Sequence, residues 1–282
     1  MNKVEKPLWL VFYLLIFTII VKATVNFLGI QLENQLQRFN LIFLGLPVVL
    51  LILHSTITLG FTKGTFFILL ASATGMFFEH IGLKNGIFFG SHYIYKPQTT
   101  LFNVPISVIL FWAIFIYTGY CLTNSFLYWL KQKKPNIKIN NLWLTLLLIL
   151  FDGYFVVAID FFMDPIAVKS GEWKWLEGGS YFGVPLGNFF GWFLVTIIVS
   201  SIFRTYEYFF SKKEEKFNKS IFIIPVLGYG IMAVSYIFSA LKFNLQNLAI
   251  IGSILMIPQV IINLILFKNF IAGSRGGGKS II

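Results

Sequence analysis

Charged side chains are scarce in this 282-residue sequence: they make up 12% of it, whereas 57% is hydrophobic and 18% aromatic. A soluble domain carries about 25% charged residues, so a soluble globular enzyme is excluded. The aromatic content excludes a disordered chain. The single cysteine, Cys121, excludes an internal disulfide framework, and three histidines are too few for a membrane di-iron oxygenase or desaturase. The remaining class is an integral membrane protein, and we expect no metal and no cofactor.

Apolar stretches long enough to cross the roughly 30 Å hydrocarbon layer as helices occur eight times. They lie at about 8–28, 41–59, 65–81, 104–130, 142–163, 184–203, 221–241 and 248–267. The sequence therefore predicts an all-α fold, a polytopic membrane helix bundle of about eight transmembrane helices. We expect a single membrane domain over residues 1–282 that ends in a flexible tail at 271–282.

Basic residues outnumber acidic ones, 22 to 11, and they are unevenly distributed. With the N-terminus inside, 15 of them fall in inner segments, Arg204 included, and 6 fall in outer loops. Because cytoplasmic segments accumulate Lys and Arg, this predicts a multi-pass protein of the cell membrane with both termini cytoplasmic. The loops 82–103 and 164–183 then lie on the other side. The same bias explains the net charge without nucleic acid, so the expected partner is membrane lipid.

Two segments of the sequence resemble each other. Residues 79–86, EHIGLKNG, align without a gap with residues 164–171, DPIAVKSG, and FNVPISVILFW at 102–112 aligns with FGVPLGNFFGW at 182–192. Each segment reads as a helix that ends in a carboxylate, a polar loop, and a helix that opens with Val-Pro. This predicts an internal parallel two-helix repeat with copies at about 62–130 and 141–210. Glu79 and Asp164 then face a shared space.

Carboxylates inside the membrane are the main catalytic candidates, because an ionised Asp at mid-bilayer costs roughly 2.5–3.5 kcal/mol on insertion scales. Asp160 and Asp164 are one helical turn apart and share a face. Two carboxylates so close cannot both ionise easily, so one is expected to keep its proton. We predict Asp164, Asp160 and Glu79 as catalytic residues, with interface charges paired to lysines as the alternative. Asp152, near the midplane, is predicted to bind substrate.

Aromatic residues crowd the loops between these acids and the prolines. Electron-rich rings beside acids are typical of an apolar pocket that stabilises a cation. The alternative is an anchoring belt of Trp and Tyr at the membrane interface. The predicted substrate-binding residues of these loops are His92, which is expected to tune a carboxylate, Tyr93, Trp173, Trp175 and Tyr181.

Gly273-Ser-Arg-Gly-Gly-Gly278-Lys279-Ser280 formally matches the phosphate-binding pattern G-x-x-x-x-G-K-[ST]. That motif requires a strand before it and a helix after it, whose N-terminus holds the phosphate. A predicted transmembrane helix precedes the match here. We therefore expect a flexible tail and no nucleotide partner.

Several motifs within about residues 75–192 together resemble one family. They are Glu79-His-Ile-Gly, Asp160-x-x-x-Asp164-Pro, Gly171-x-Trp173-x-Trp175, Tyr181-x-Gly-Val-Pro185 and Asn188-x-x-Gly191-Trp192. This pattern resembles the carotenoid biosynthesis membrane proteins, which include carotenoid 1,2-hydratases acting for example on γ-carotene or on the acyclic precursor of bacterioruberin. The resemblance implies addition of water to the terminal C1,2 double bond of an acyclic carotenoid end group, giving a tertiary alcohol. Its partners would be a polyene lipid and water.

The residues suit such chemistry without redox or metal. A protonated carboxyl would donate to C2, and the aromatic faces and the remaining carboxylate would stabilise positive charge at C1. Water, oriented by a second carboxylate or by Asn188, would then add, so Asn188 is also predicted to bind substrate. Three alternatives stay open: an intramembrane Mg-dependent prenyltransferase that uses D-x-x-x-D, a membrane transporter or channel, and a non-catalytic carotenoid-binding scaffold.

Overall fold

The computed structural model of the protein describes residues 5–27, 36–134, 142–210 and 222–275. Within these ranges the chain forms eight helices and four short strands. They are α1 (Glu5–Phe27), α2 (Leu36–Leu59), α3 (Phe61–Asn85), β1 (Tyr93–Tyr95), β2 (Thr100–Leu101), β3 (Val104–Pro105), α4 (Ile106–Lys133), α5 (Leu142–Ser170), β4 (Trp173–Trp175), α6 (Leu186–Phe210), α7 (Ile223–Lys242) and α8 (Gln246–Arg275).

The helices confirm the predicted all-α, polytopic membrane protein. The six helices α3 to α8 are long and apolar enough to cross a membrane, and α2 contains a shorter apolar stretch, Leu44–Leu59. Several helices extend beyond the predicted spans: α5 continues to Ser170 and α6 to Phe210. Hydropathy identifies only the part of a helix that crosses lipid. Helix α5 has 29 residues and is about 44 Å long, so it extends beyond the hydrocarbon layer. Arg204, which follows the predicted span 184–203, therefore lies inside α6 rather than in a connection between helices.

The chain divides into two compact units. The first runs through Leu69 and contains α1, which packs against α2, and the first part of α3. The second begins at Leu70 and contains the rest of α3 and the remaining elements. In the second unit α4 and α5 pack against each other and against α7 and α8, and α5 also packs along α6. Helix α8 extends to Arg275, and the rest of the predicted tail, with Gly278, Lys279 and Ser280, lies outside the described residues.

Helices α3 and α5 end in the same way. Each continues for six residues past its carboxylate, so the prediction that the helices end at Glu79 and Asp164 was wrong. A glycine in the left-handed region then stops each helix, with φ of 66° at Gly86 and 77° at Gly171. A residue without Cβ adopts this conformation without strain. Both acids consequently lie inside regular helix, about two turns before its end.

The Val-Pro segments follow two similar turns. Phe102 and Asn103 have φ of 50° and 66°, and Phe182 and Gly183 have φ of 49° and 89°. Positive φ at both central residues defines a type I′ turn, whose twist suits a tight antiparallel pair. The first turn joins β2 to β3, and the second closes a bridge between Tyr181 and Val184. Each turn leads directly into a helix, α4 or α6.

The two aromatic loops are held together by a strand pair that the sequence did not predict. Strand β1 pairs antiparallel with β4, and its register places Tyr93 opposite Trp175 and Tyr95 opposite Trp173. Counted back from the proline of Val-Pro, the two strands occupy the same place in their segments. The central pair of the ladder is Ile94 opposite Lys174, and a local twofold axis through this pair relates β1 to β4. The pairing brings the aromatic side chains of both loops to one place.

Gly75 in α3 permits a close approach to α4. We expect Gly75→Ala to destabilise the protein by about 1–3 kcal/mol, because the added methyl group would overpack the contact between the two helices. A methyl group at this position would overlap the indole ring of Trp112, which is fully buried. Thermal unfolding in detergent measures the effect. Gly228→Ala in α7 is the matched control, because its added methyl meets nothing within 4 Å. That variant should be stabilised by up to about 1 kcal/mol, and equal stability of the two variants would contradict the expectation.

Candidate active site

A small cavity lies inside the second unit, between α3, α4, α5, α6 and the β1–β4 pair. Its volume is about 20 Å³. The lining residues are Glu79, Tyr93, Tyr95, Val108, Phe111, Met163, Asp164, Trp173, Trp175, Asn188 and Trp192. The acids of the two similar segments, Glu79 and Asp164, thus reach the same cavity, as the sequence alignment predicts.

Glu79 is held by three donors. Its side chain is only 3% exposed. The hydroxyls of Tyr93 and Tyr95 donate to its Oε2 at 2.6 and 2.8 Å, and the indole Nε1 of Trp112 donates to its Oε1 at 3.2 Å. A carboxylate has about four lone-pair sites, so one acceptor position is left for a further donor.

The two tyrosines that bind Glu79 stay protonated over a wide pH range. Burial, together with the nearby Glu79 carboxylate, raises the pKa of Tyr93 and of Tyr95 well above the usual value. A phenol that keeps its proton remains a donor. Sequence reasoning selected Tyr93 and missed Tyr95, although alternate residues of a strand share a face.

Asp160 and Asp164 share one amide donor. Asn188, in the first turn of α6, donates from Nδ2 to Oδ2 of Asp160 at 2.9 Å and to Oδ2 of Asp164 at 2.6 Å. Asp164 lines the cavity, whereas Asp160 is fully buried behind it. Oδ1 of Asp160 has no hydrogen-bond partner among the described residues. The acids are therefore inside the protein rather than at the water interface, and the Asn188 amide is committed to them.

Tyr181 lies next to the acid pair without lining the cavity. Its ring packs edge-on against Phe161 and Phe189 at centroid distances of 5.3 and 5.2 Å. Burial, with a smaller contribution from the charge of Asp160, raises the pKa of its hydroxyl to about 12. That hydroxyl is buried and has no partner in the part of the chain that the structure describes.

Aromatic faces form much of the cavity wall. Trp192 lines the cavity. Trp112, at the matching position of the other segment, is outside the lining and stacks on Trp192 with ring centroids 4.1 Å apart. Trp175 packs against Tyr93 at 4.5 Å, and Trp173 packs edge-on against Tyr95 at 5.7 Å. Sequence reasoning aligned Trp112 with Trp192 but did not include them in the site. Their matched positions after Val-Pro were the available signal.

His92 lies apart from the cavity. Its side chain is exposed, and Nδ1 is 3.8 Å from Oε1 of Glu177, which also accepts a hydrogen bond from Ser91. The carboxylate next to His92 is thus that of Glu177, a loop residue. Among the described residues, no contact joins His92 to the buried acids that it was expected to influence. The physical reason is that β1 begins directly after His92 and directs alternate side chains to opposite faces.

Asp152 is also placed elsewhere, in a buried ion pair. Nε and Nη2 of Arg204 each donate to one of its carboxylate oxygens at 2.7 Å. Nη1 of Arg204 donates to Asn124 at 3.2 Å, and the guanidinium lies 4.8 Å from the ring centre of Tyr120. Asp152 precedes Asp164 by about 18 Å along the same helix. The sequence did not predict this partner, because Arg204 is 52 residues further along the chain and follows the predicted span 184–203.

The fold and the site define a multi-pass helical membrane protein with acidic and aromatic groups around a buried cavity. The chain belongs to the carotenoid biosynthesis protein family, whose profile matches residues 39–258. Its role is accordingly in carotenoid biosynthesis, as the resemblance of the sequence motifs implies. Searches of curated proteins and of solved structures gave no match.

Proposed function

We propose that this protein is a carotenoid hydratase that adds water across the terminal C1,2 double bond of an acyclic carotenoid end group. The observation that carries the proposal is the meeting of Glu79 and Asp164, from two similar segments, at one buried cavity with aromatic walls. Addition of water to a trisubstituted alkene needs an acid, stabilisation of a cation and a base. The cavity offers a group for each of these.

The Asp160–Asp164 pair is the proposed acid. Two carboxyl groups that share one amide donor in a buried site repel each other as anions, so the pair is suited to carry a proton. Asp164 is the member that lines the cavity and therefore delivers the proton to C2. Asp160 and Asn188 act through it as positioning residues.

The positive charge that develops at C1 is stabilised in two ways. Trp192 and Trp173 line the cavity and supply aromatic rings, whose faces attract cations. Glu79, fixed by three donors, supplies a negative charge that needs no reorganisation during the reaction. The remaining acceptor position of Glu79 makes it the proposed base for the incoming water.

The two similar segments are proposed to be copies of one ancestral helix pair. The matched helix ends, the two type I′ turns and the pairing of β1 with β4 support this.

The membrane orientation is a separate part of the proposal. The positive-inside distribution favours cytoplasmic termini in the cell membrane. Because the acids lie near the ends of α3 and α5, the cavity is then toward the non-cytoplasmic face. A polyene dissolves in the bilayer, which suits a site built between membrane helices.

The test is expression of the protein in a bacterial host that makes lycopene or γ-carotene, followed by chromatography and mass spectrometry of the pigments. We expect a product heavier by one water, with a tertiary hydroxyl at the former C1. A matched culture with empty vector is the control. A pigment heavier by an isoprenoid unit, formed only when magnesium is present, would instead support the prenyltransferase alternative, and an unchanged pigment pool would contradict the hydratase.

A further inference from the structure

The indole N–H of Trp175 is a buried donor at the cavity. The side chain is 4% exposed and lines the cavity together with Glu79 and Asp164. Its Nε1 has no hydrogen-bond acceptor among the described residues. A buried donor without an acceptor costs about 1–3 kcal/mol, so a group that accepts from it would be bound favourably.

The size and polarity of the cavity fit one water molecule. A water needs roughly 10–15 Å³ of accessible volume and two to four polar partners, and the cavity has about 20 Å³. The Trp175 N–H is the donor, and the carboxyl oxygens of Glu79 and Asp164 are acceptors at the same cavity. Val108, Phe111 and Met163 form the apolar part of the lining, where an alkene end group would approach.

The orientation of Trp175 is set by the fold. Strand β4 pairs with β1 so that Trp175 lies opposite Tyr93, and the two rings pack with centroids 4.5 Å apart. Tyr93 in turn binds Glu79 at 2.6 Å. The β1–β4 pair therefore fixes the position of the Trp175 N–H relative to the Glu79 carboxylate.

We propose that Trp175 positions the attacking water of the hydratase reaction. This inference rests on the proposed function and assigns a residue that holds the nucleophile. The water accepts a hydrogen bond from Nε1 of Trp175 and donates one to the Glu79 carboxylate, which leaves its second lone pair directed at C1. As the C1–O bond forms from that lone pair, the proton leaves for Glu79.

The proton balance closes within the cavity. Asp164 gives one proton to C2, and Glu79 takes one proton from the water, so the alkene gains H and OH without any oxidant or reductant. The proton on Glu79 returns to Asp164 through the next water that occupies the site. Trp175 neither gains nor loses a proton, so it is a positioning residue.

The experiment uses membranes from the lycopene-producing host in D₂O and measures two quantities. One is the amount of tertiary alcohol formed, and the other is deuterium in the recovered lycopene, which reports protonation at C2 followed by loss of a proton. For Trp175→Phe we expect the alcohol to fall about 10²-fold, because the nucleophile is misplaced, while deuterium exchange continues. A merely structural role of Trp175 would lower both quantities together, and that result would overturn the proposal.

Two further variants separate the hydrogen bond from packing. Replacement of Trp175 by its benzothiophene analogue keeps the bicyclic ring and removes the N–H, so it should reproduce the loss of alcohol; wild-type hydration by this variant would overturn the proposal. Trp143→Phe is the matched control, since Trp143 is 77% exposed at the other end of α5, about 30 Å along the helix from Asp164. Wild-type protein that gives neither alcohol nor exchange would overturn the hydratase function itself.

Discussion

Asp164→Asn is expected to lower the rate of alcohol formation by about 10²–10⁴-fold, the usual contribution of a general acid. The asparagine has nearly the same shape, and its carbonyl can still accept from Asn188, which donates to Asp164 at 2.6 Å. What it cannot do is deliver a proton to C2. The measurement is alcohol formed per amount of folded protein in membranes of the lycopene-producing host. Deuterium exchange into lycopene should fall with it, in contrast to the Trp175 variant.

Lys169→Gln, on the same helix and exposed, is the control for expression and folding and should retain wild-type turnover. Glu79→Gln is expected to lose alcohol formation as well, because the proposed base is removed and Tyr93 and Tyr95 lose the charge of their acceptor. If Asp164→Asn and Glu79→Gln both keep full turnover, the assignment of these acids is refuted.

Asp152→Asn is expected to reduce the free energy of unfolding by about 3–5 kcal/mol, because the buried Arg204 guanidinium loses the charge of the carboxylate that accepts two of its hydrogen bonds. Thermal unfolding in detergent measures this change. The protein that remains folded should still form alcohol at the wild-type rate, because Asp152 lies about 18 Å along α5 from Asp164. The expectation thus separates a structural acid from the acids that we propose to be catalytic.

Removing both charges provides the control. Asp152→Leu combined with Arg204→Met should restore the unfolding temperature to the wild-type value or above, since buried ion pairs are often replaceable by apolar residues of similar volume. Loss of hydration in Asp152→Asn without loss of stability would show that Asp152 acts in substrate binding, as the sequence alone suggested.

The sequence correctly predicted interior positions for acidic residues of an otherwise apolar chain. Glu79, Asp160 and Asp164 are costly in lipid, so their presence indicates an interior site, and the structure places them there. Tyr93, Trp173 and Trp175 lie at the cavity as their crowding beside the acids predicts. The same reasoning predicted that Asp152 binds substrate, whereas the structure shows it outside the cavity lining, in a buried ion pair with Arg204.

For His92 and Asn188, position along the chain did not predict which groups the side chain contacts. His92 is one residue from Tyr93, yet the strand directs it to the loop surface near Glu177. Asn188 was expected to orient water, and its amide instead joins Asp160 to Asp164. In both cases the direction of a side chain, which follows from the backbone around it, determines the contact.

The sequence by itself determined the membrane class, the helical fold, the similarity of two segments and the presence of acids beside aromatic residues, because each follows from composition, hydropathy and spacing. Only the tertiary structure decided which acid faces the cavity, which donors hold Glu79, and that Arg204 neutralises Asp152. Trp112 and Glu79 are 33 residues apart, and Arg204 and Asp152 are 52 apart. Such pairs are set by the packing of helices and by the β1–β4 register, which local sequence patterns do not encode.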